Sequence, residues 1–266
     1  MKVDSGRLPR ASGSLSITIL LGLLIAAAVV PPLLLSVFLI DRNNRAQNEV
    51  VQTLAEAAAG AAVQTVDSQL LGMVTTLRSL STSKSLSDGD MRSFYDGART
   101  ALSETESYVI VLDAELNQLL NTRRNYGEAL GTTSEPVSAL RALQSGKPVI
   151  SDGFLGRTAQ KWVFNIILPW TPKGREPLLL ILTQNAEMLS SALSMENLRG
   201  GWNAAVVDNN SMVMASTLMS SDIGKPFLLS DAAGGDGPVH REALKDGKDY
   251  EMIIKRSPLS GWRVIL

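Results

Sequence analysis

The sequence predicts an α+β protein in which an N-terminal transmembrane helix continues into a long stalk helix, followed by two modules with antiparallel sheets. Three observations lead to this prediction: an uncharged apolar run, a helical apolar repeat after it, and two similar β-hairpins further along the chain. The expected segments are a cytoplasmic tail (1–16), the transmembrane helix (17–40), the stalk helix (41–82), a membrane-distal module (83–193) and a membrane-proximal module (194–266).

The apolar run from Ile17 to Ile40 is about 24 residues long, or about 36 Å as a helix, which is enough to cross a bilayer core of about 30 Å. Three basic residues and one acidic residue precede it, whereas two of each follow directly, and this bias favours a cytoplasmic N-terminus. The remaining chain would then lie outside the cytoplasm. A signal peptide cleaved after Ala26–Ala28 is the alternative, but cleavage there would leave an apolar N-terminus from Val29 to Ile40.

Composition excludes several classes of function. The net charge of −1 provides no general attraction to nucleic acid. The chain has no cysteine, so disulfides, thiolate metal sites and cysteine nucleophiles are excluded. His240 is the only histidine, which excludes a histidine-based metal cluster, and the glycine-rich run before it predicts an exposed loop. We expect no metal, no cofactor and no catalytic residue in this part of the protein.

The stalk is predicted as one helix from Asp41 to Ser81. Its apolar residues are spaced alternately three and four apart and form a heptad-like seam: Val63, Val66, Leu70, Met73, Leu77 and Leu80. Two interpretations are open, and both can hold over different parts of the helix. The seam pairs with a second subunit and gives a homodimer through the stalk, or it packs on the domain of its own chain.

Helices and strands then alternate in the distal module. Three helices are predicted, at Met91–Ser103, Pro136–Gln144 and Ala186–Leu193. Five strands are predicted, at Tyr108–Leu112, Gln118–Thr122, Pro148–Ser151, Lys161–Trp170 and Leu178–Thr183. This order indicates an antiparallel sheet with helices on one side.

The second module repeats the start of the first. Val111-Leu112-Asp113 is matched 95 residues later by Val206-Val207-Asp208, and Leu130-Gly131 is matched by Ile223-Gly224 with a slip of two residues. Because a hairpin and its following loop repeat together, an internal structural repeat is indicated. The other elements predicted here are strands Trp202–Val207, Met212–Ala215, Asp249–Lys255 and Trp262–Leu266 and a short helix Glu242–Lys245.

Together these features resemble the double Cache family, the tandem PAS-like extracytoplasmic sensor domains of bacterial receptors. The resemblance covers residues 41–266. It is carried by the long helix, Val109–Asp113, Gly146–Asp152, Phe154–Arg157, Ala205–Asp208 and Arg256–Val264. It implies a periplasmic small-molecule sensor anchored in the bacterial inner membrane, most often in a two-component sensor histidine kinase. A second membrane helix and an output region follow in the family, so we expect this sequence to be part of a longer protein.

The resemblance also implies that the ligand binds in the distal module, between the sheet and the loops over it. Family members that bind amino acids use an aspartate near the end of the last distal strand, where this chain has Leu182-Thr183-Gln184. An arginine beside an aromatic face favours an organic acid instead. The predicted ligand-binding residues are Tyr126, Asp152, Arg157, Trp162 and Asn165. Each has an ordinary alternative, such as a core position for Trp162.

Two other functions are open from the sequence alone: a membrane-anchored extracytoplasmic hydrolase and a structural anchor that assembles through the stalk. The nucleophile-like pattern Ser-x-x-Lys from Ser81 to Lys84 falls at a predicted helix end, and we assign it no catalytic role. Any enzyme activity would belong to a histidine kinase or a cyclic-dinucleotide enzyme elsewhere in the full protein.

Overall fold

The computed structural model describes residues 17–172, 174, 176–193, 202–218, 222–227, 237–241 and 250–266. The chain divides into two units, Met1–Thr53 and Leu54–Leu266. Helix α1 runs from Ile17 to Ser81. An 18-residue window near its N-terminal end has a mean hydropathy of 2.7 and is not buried, so α1 is the one helix among the described residues with the length and composition to cross a membrane.

The second unit contains three further α-helices, one 3₁₀ helix and eleven strands among its described residues. The helices are α2 Lys84–Asp88, α3 Met91–Ala101, α4 Pro136–Ser145 and the 3₁₀ helix Ala186–Leu193. The strands are β1 Tyr108–Leu112, β2 Gln118–Asn121, β3 Val149–Ile150, β4 Phe154–Leu155, β5 Trp162–Trp170, β6 Leu178–Asn185, β7 Ala205–Val207, β8 Val213–Ser216, β9 Gly237–Arg241, β10 Tyr250–Arg256 and β11 Arg263–Ile265.

The strands form two antiparallel sheets, which confirms the predicted α+β class. The first has the order β2-β1-β6-β5-β3, with β4 also paired to β5, and the second has the order β8-β7-β11-β10-β9. Helix α2 and strands β4 and β9 were not predicted. The two strands form through pairing with β5 and β10. His240 lies in β9 rather than in the predicted loop, since that segment pairs with β10. The helix predicted at Glu242–Lys245 falls outside the described residues.

The two hairpins repeat in atomic detail. The Asp113 carboxylate accepts the N–H of Asn117 at 2.7 Å, and the Asp208 carboxylate accepts that of Met212 at 2.8 Å. In each turn the residue before the donor has a positive φ, 67° at Leu116 and 63° at Ser211. Each carboxylate thus stabilises the same tight turn and holds its unusual backbone conformation. The internal repeat is one supersecondary unit used twice.

The loops after the two hairpins are also equivalent, but the predicted slip of two residues is wrong. Asn117 bridges to Thr132 and Met212 bridges to Pro226, which is a slip of one residue. The sequence match paired Gly131 with Gly224, but the two glycines are not structurally equivalent. Gly224 has a φ of 81° and lies against the indole of Trp162, whereas Gly131 has no positive φ.

The seam of α1 packs on the domain of its own chain. Val66, Leu70 and Leu77 are 0% exposed and belong to one hydrophobic core with residues of both sheets, among them Val111 and Val206. The apolar face of each sheet needs a cover, and α1 provides it. The buried residues of this seam are therefore covered by the domain of their own chain, as the second interpretation expects.

The opposite face of the first sheet has two parts. Near α4, the apolar residues Leu112, Ile167 and Leu179 pack against the alanines of that helix. Towards the other end of the strands the same face becomes polar, although its side chains stay buried: Asn121, Asn165, Thr183 and Asn185. Buried polar groups on a sheet need partners, so this end of the sheet is where a binding site is to be sought.

Candidate functional site

A cleft of about 300 Å³ opens at the polar end of the first sheet. Antiparallel pairing brings the start of β1, the start of β5 and the end of β6 to one edge, as the pairs Tyr108↔Thr183 and Val163↔Asn185 show. The C-terminal part of α3 and its following loop complete the walls. The charged groups, the phenol and the amide of the cleft come from six lining residues: Arg99, Glu106, Tyr108, Arg123, Lys161 and Asn185.

Three of these residues are cations at the rim. The Arg99 guanidinium donates to the Tyr95 hydroxyl at 2.8 Å, and that of Arg123 lies over the Tyr108 ring, 5.2 Å from its centroid. Neither arginine forms an ion pair with another described residue. Lys161 Nζ lies 3.8 Å from Glu106 Oε2, with both side chains more than half exposed. Since only one carboxylate faces three cations, the cleft is electropositive and attracts anions.

Tyr108 forms part of the inner wall. Burial raises the pKa of its phenol, while the charge of Arg123 and a hydrogen bond with Thr183 act in the opposite direction. The raised pKa keeps the phenol neutral at physiological pH. Arg123 therefore stacks on a neutral ring, which orients the guanidinium without neutralising its charge.

Asn185 is the most buried polar group of the cleft, at 3% exposure. Its Nδ2 donates to the Glu106 carboxylate, which fixes the orientation of the amide. Its Oδ1 is buried and has no hydrogen-bond partner. A buried acceptor without a donor costs about 1–3 kcal/mol, so Asn185 Oδ1 is a polar atom that the described residues leave unsatisfied. The sequence did not single out Asn185 because β6 was predicted to end at Thr183.

Three of the five predicted site residues lie at separate places in the distal module. Asn165 is 2% exposed and its Oδ1 accepts the Thr183 hydroxyl at 2.8 Å. Tyr126 is exposed and packs edge-on against Tyr95, with ring centroids 5.4 Å apart. Arg157 is exposed in the loop after β4. None of these lines the cleft, and ligand binding by them stays a prediction.

Asp152 and Trp162 lie together at the junction between the two modules. The Asp152 carboxylate accepts four hydrogen bonds from the second module: from the backbone N–H of Asn209 at 3.1 Å, from its Nδ2 at 2.7 Å, from Asn210 Nδ2 at 3.3 Å and from Trp262 Nε1 at 3.3 Å. Trp162 lies against Gly224, where an added Cβ would stand 1.8 Å from the indole nitrogen. Both side chains therefore contact residues of the neighbouring module. The sequence around Asp152 and Trp162 does not reveal these contacts, because their partners lie far along the chain.

A second carboxylate, Asp208, faces Asp152 at this junction. It accepts the N–H of Gly153 at 3.0 Å in addition to its turn contacts. Burial raises the pKa of Asp208, the N–H groups of Met212 and Gly153 oppose this, and the negative charge of Asp152 adds to the rise. Among the described residues, no group of three or more histidine or acidic side chains is placed to hold a metal ion.

The fold is that of extracellular ligand-binding domains of bacterial receptors. The structure matches the domain of Pseudomonas fluorescens chemoreceptor CtaA in complex with L-isoleucine at a TM-score of 0.64 and 12% identity, covering 84% of this chain and 94% of that one. It also matches the ligand-binding domain of Campylobacter jejuni chemoreceptor Tlp3 in complex with L-valine. That match has a TM-score of 0.60 and 9% identity and covers 84% of this chain and 94% of that one. The extracellular domain of a proposed histidine kinase, rpHK1S-Z16, matches at a TM-score of 0.60 and 16% identity. This match covers 83% of this chain and 93% of that one.

These matches confirm the resemblance to double Cache domains at the level of the fold. No protein-family model matches the sequence. A search of curated protein sequences also finds no match.

Proposed function

We propose that this chain is the extracytoplasmic sensing domain of a membrane-bound signal-transduction receptor and that a small organic ligand binds in its distal module. The observation that carries the proposal is the agreement in fold with ligand-binding domains over more than four-fifths of the chain. The electropositive cleft supports the distal module as the binding unit. In the proximal module, the described loop 222–227 offers one basic side chain, Lys225, and that side chain pairs with Asp222 at 3.5 Å.

In the proposed topology α1 crosses the bacterial inner membrane once, with the N-terminus in the cytoplasm and both modules in the periplasm. The five segments expected from the sequence, 1–16, 17–40, 41–82, 83–193 and 194–266, are kept as the proposed division. The proposed output is a sensor histidine kinase, and the similar extracellular domain of rpHK1S-Z16 supports it. A chemoreceptor signalling region is the second candidate, because other similar domains belong to chemoreceptors.

A homodimer is also proposed, through the side of α1 that faces away from the sheets. Leu54 and Leu71 are each 56% exposed on that side. Their exposure leaves apolar surface that a second subunit would cover. This face replaces the buried seam as the proposed contact.

Thermal unfolding of the chain in lipid nanodiscs, followed by tryptophan fluorescence, tests the sensing function. A screen of small organic acids and amines should identify a compound that stabilises the chain by about 2.7 kcal/mol at a hundredfold excess over its dissociation constant. The compound should be recovered chemically unchanged, since conversion would favour the hydrolase. If substitutions at Lys225 and Phe227 abolish the stabilisation while cleft substitutions leave it intact, the distal assignment is wrong.

A further inference from the structure

We propose that the cleft binds a small dicarboxylate that carries a hydroxyl or amino group. Arg99, Arg123 and Lys161 hold the two carboxylates, and the added group donates to Asn185 Oδ1. The inference deepens the proposed function by naming the chemical class of the ligand. None of the five residues predicted from the sequence belongs to this site.

The charges of the cleft set the first requirement. Three cations surround one carboxylate, Glu106, and its ion pair with Lys161 is long at 3.8 Å and exposed to water. An exposed pair of this kind is weak, so Lys161 remains available to a ligand. Two negative charges on the ligand would balance the excess of two positive charges in the cleft. A monocarboxylate would leave one cation without a counter-charge.

The orientation of the arginines suits carboxylates. The Arg123 guanidinium carbon lies over the Tyr108 ring, 5.2 Å from its centroid, and Arg99 donates to the Tyr95 hydroxyl at 2.8 Å. A guanidinium held in this way loses less conformational freedom when it binds a carboxylate through two hydrogen bonds. Both arginines are held by tyrosine side chains rather than by acids, so neither forms an ion pair with another described residue.

The second requirement comes from Asn185. Its Nδ2 is engaged by Glu106, so the atom left for the ligand is the buried acceptor Oδ1. A plain dicarboxylate has no donor at neutral pH and would leave this oxygen unsatisfied. A hydroxyl or ammonium group on the ligand satisfies it. The volume of about 300 Å³ lies at the small end of ligand sites, which suits a chain of about four to six carbons.

Three probe compounds separate these requirements: L-malate has two carboxylates and a hydroxyl, succinate lacks the hydroxyl, and 3-hydroxybutyrate lacks one carboxylate. Calorimetric titration of the full chain in nanodiscs should rank L-malate above both others by about tenfold or more. The affinity for L-malate should fall as salt rises, because the rim cations are exposed to solvent. Failure of L-malate and of L-aspartate to bind at 10-mM concentration, an excess of about a thousandfold over typical micromolar ligands, would overturn the proposal.

Substitutions locate the site. Arg123→Gln should weaken L-malate binding by about tenfold to a hundredfold. Arg124→Gln is the matched control, because Arg124 is adjacent in sequence, does not line the cleft and pairs with Glu128 at 2.9 Å. Equal effects of the two changes would overturn the assignment of Arg123. Asn185→Leu should bring the affinity for L-malate down to that for succinate, and an unchanged preference for L-malate would exclude Asn185 as the acceptor.

The unfolding temperature of each variant shows whether it is folded, and Lys161→Gln at an exposed side chain provides a second cation test if Arg123→Gln does not fold. The outcome of this experiment is distinct from that of the function test. If another class of compound stabilises the chain and the response survives Arg123→Gln and Lys161→Gln, the sensing function stands and the dicarboxylate inference fails.

Discussion

Asp152 accepts two hydrogen bonds from Asn209, one from its backbone N–H at 3.1 Å and one from its side-chain Nδ2 at 2.7 Å. Asp152 follows β3 of the first sheet, and Asn209 stands in the turn between β7 and β8 of the second sheet. Gly153 completes the exchange by donating to Asp208 at 3.0 Å. Because bonds run in both directions between the same two segments, the loop after β3 and the turn between β7 and β8 are held together from both sides.

The first prediction concerns this junction. Asp152→Ala removes the common acceptor of four donors and should lower the free energy of unfolding by about 2–4 kcal/mol, measured by denaturant titration. Asp96→Ala is the control, since Asp96 forms an exposed pair with Arg92 on α3 and should cost about 0.5 kcal/mol or less. Equal losses in the two variants would show that the junction does not contribute to stability.

The second prediction uses two glycines with similar backbone conformations. Gly127 has a φ of 85° and open space around it, whereas Gly224 has a φ of 81° and lies against Trp162. Gly127→Ala should cost about 1–2 kcal/mol from backbone strain alone. Gly224→Ala should cost about 1–3 kcal/mol more, because the indole must also move. The difference should be accompanied by a change in tryptophan fluorescence, and equal costs would mean that the contact with Trp162 is loose.

The third prediction follows from the raised pKa of Asp208. A folded-state pKa above the ordinary value of about 3.9 means that the folded protein binds the proton more tightly, so this residue's contribution to stability falls as pH rises through that window. Asp208→Asn removes this dependence. The free energy of unfolding of the variant minus that of the original protein should therefore increase as pH rises from about 4 towards 7. Parallel pH profiles would show that the Asp208 carboxylate titrates normally.

The fourth prediction concerns the homodimer. The chain has no cysteine, so single substitutions on α1 are unambiguous. Leu71→Cys should cross-link between subunits in membranes, because Leu71 is 56% exposed, whereas Leu70→Cys should not, because Leu70 is 0% exposed. Efficient cross-linking at Leu70 alone would mean that α1 does not pack on its own domain in the membrane.

Much of the fold could be predicted because its signals are local. The turns at Asp113 and Asp208 show the same spacing in the sequence and the same bonds in the structure, so the repeat was recognisable. The seam of α1 was also predicted, but its partner was not, since an apolar stripe does not identify the surface that covers it. The short strands β4 and β9 were missed because they are defined by their pairing with β5 and β10.

The candidate site was harder to predict because strand register assembles it. Arg99, Lys161 and Asn185 are far apart in the sequence and meet only where β1, β5 and β6 end at one edge. Asp152 and Trp162 were predicted to bind a ligand, and the structure places contacts of both side chains in the other module. Local sequence identifies residues with functional groups, while the register decides which of them meet.

The most direct test of the central claim is the rate at which a membrane-impermeant maleimide labels Ser103→Cys in intact bacterial cells. Ser103 is exposed at the wall of the cleft. Gln64→Cys, exposed on α1 and outside the cleft lining, is the control. For a periplasmic sensor, both cysteines should react without permeabilisation, and the ligand found by thermal unfolding should slow the labelling of Ser103→Cys alone. Labelling of both cysteines only after permeabilisation of the inner membrane would contradict the account.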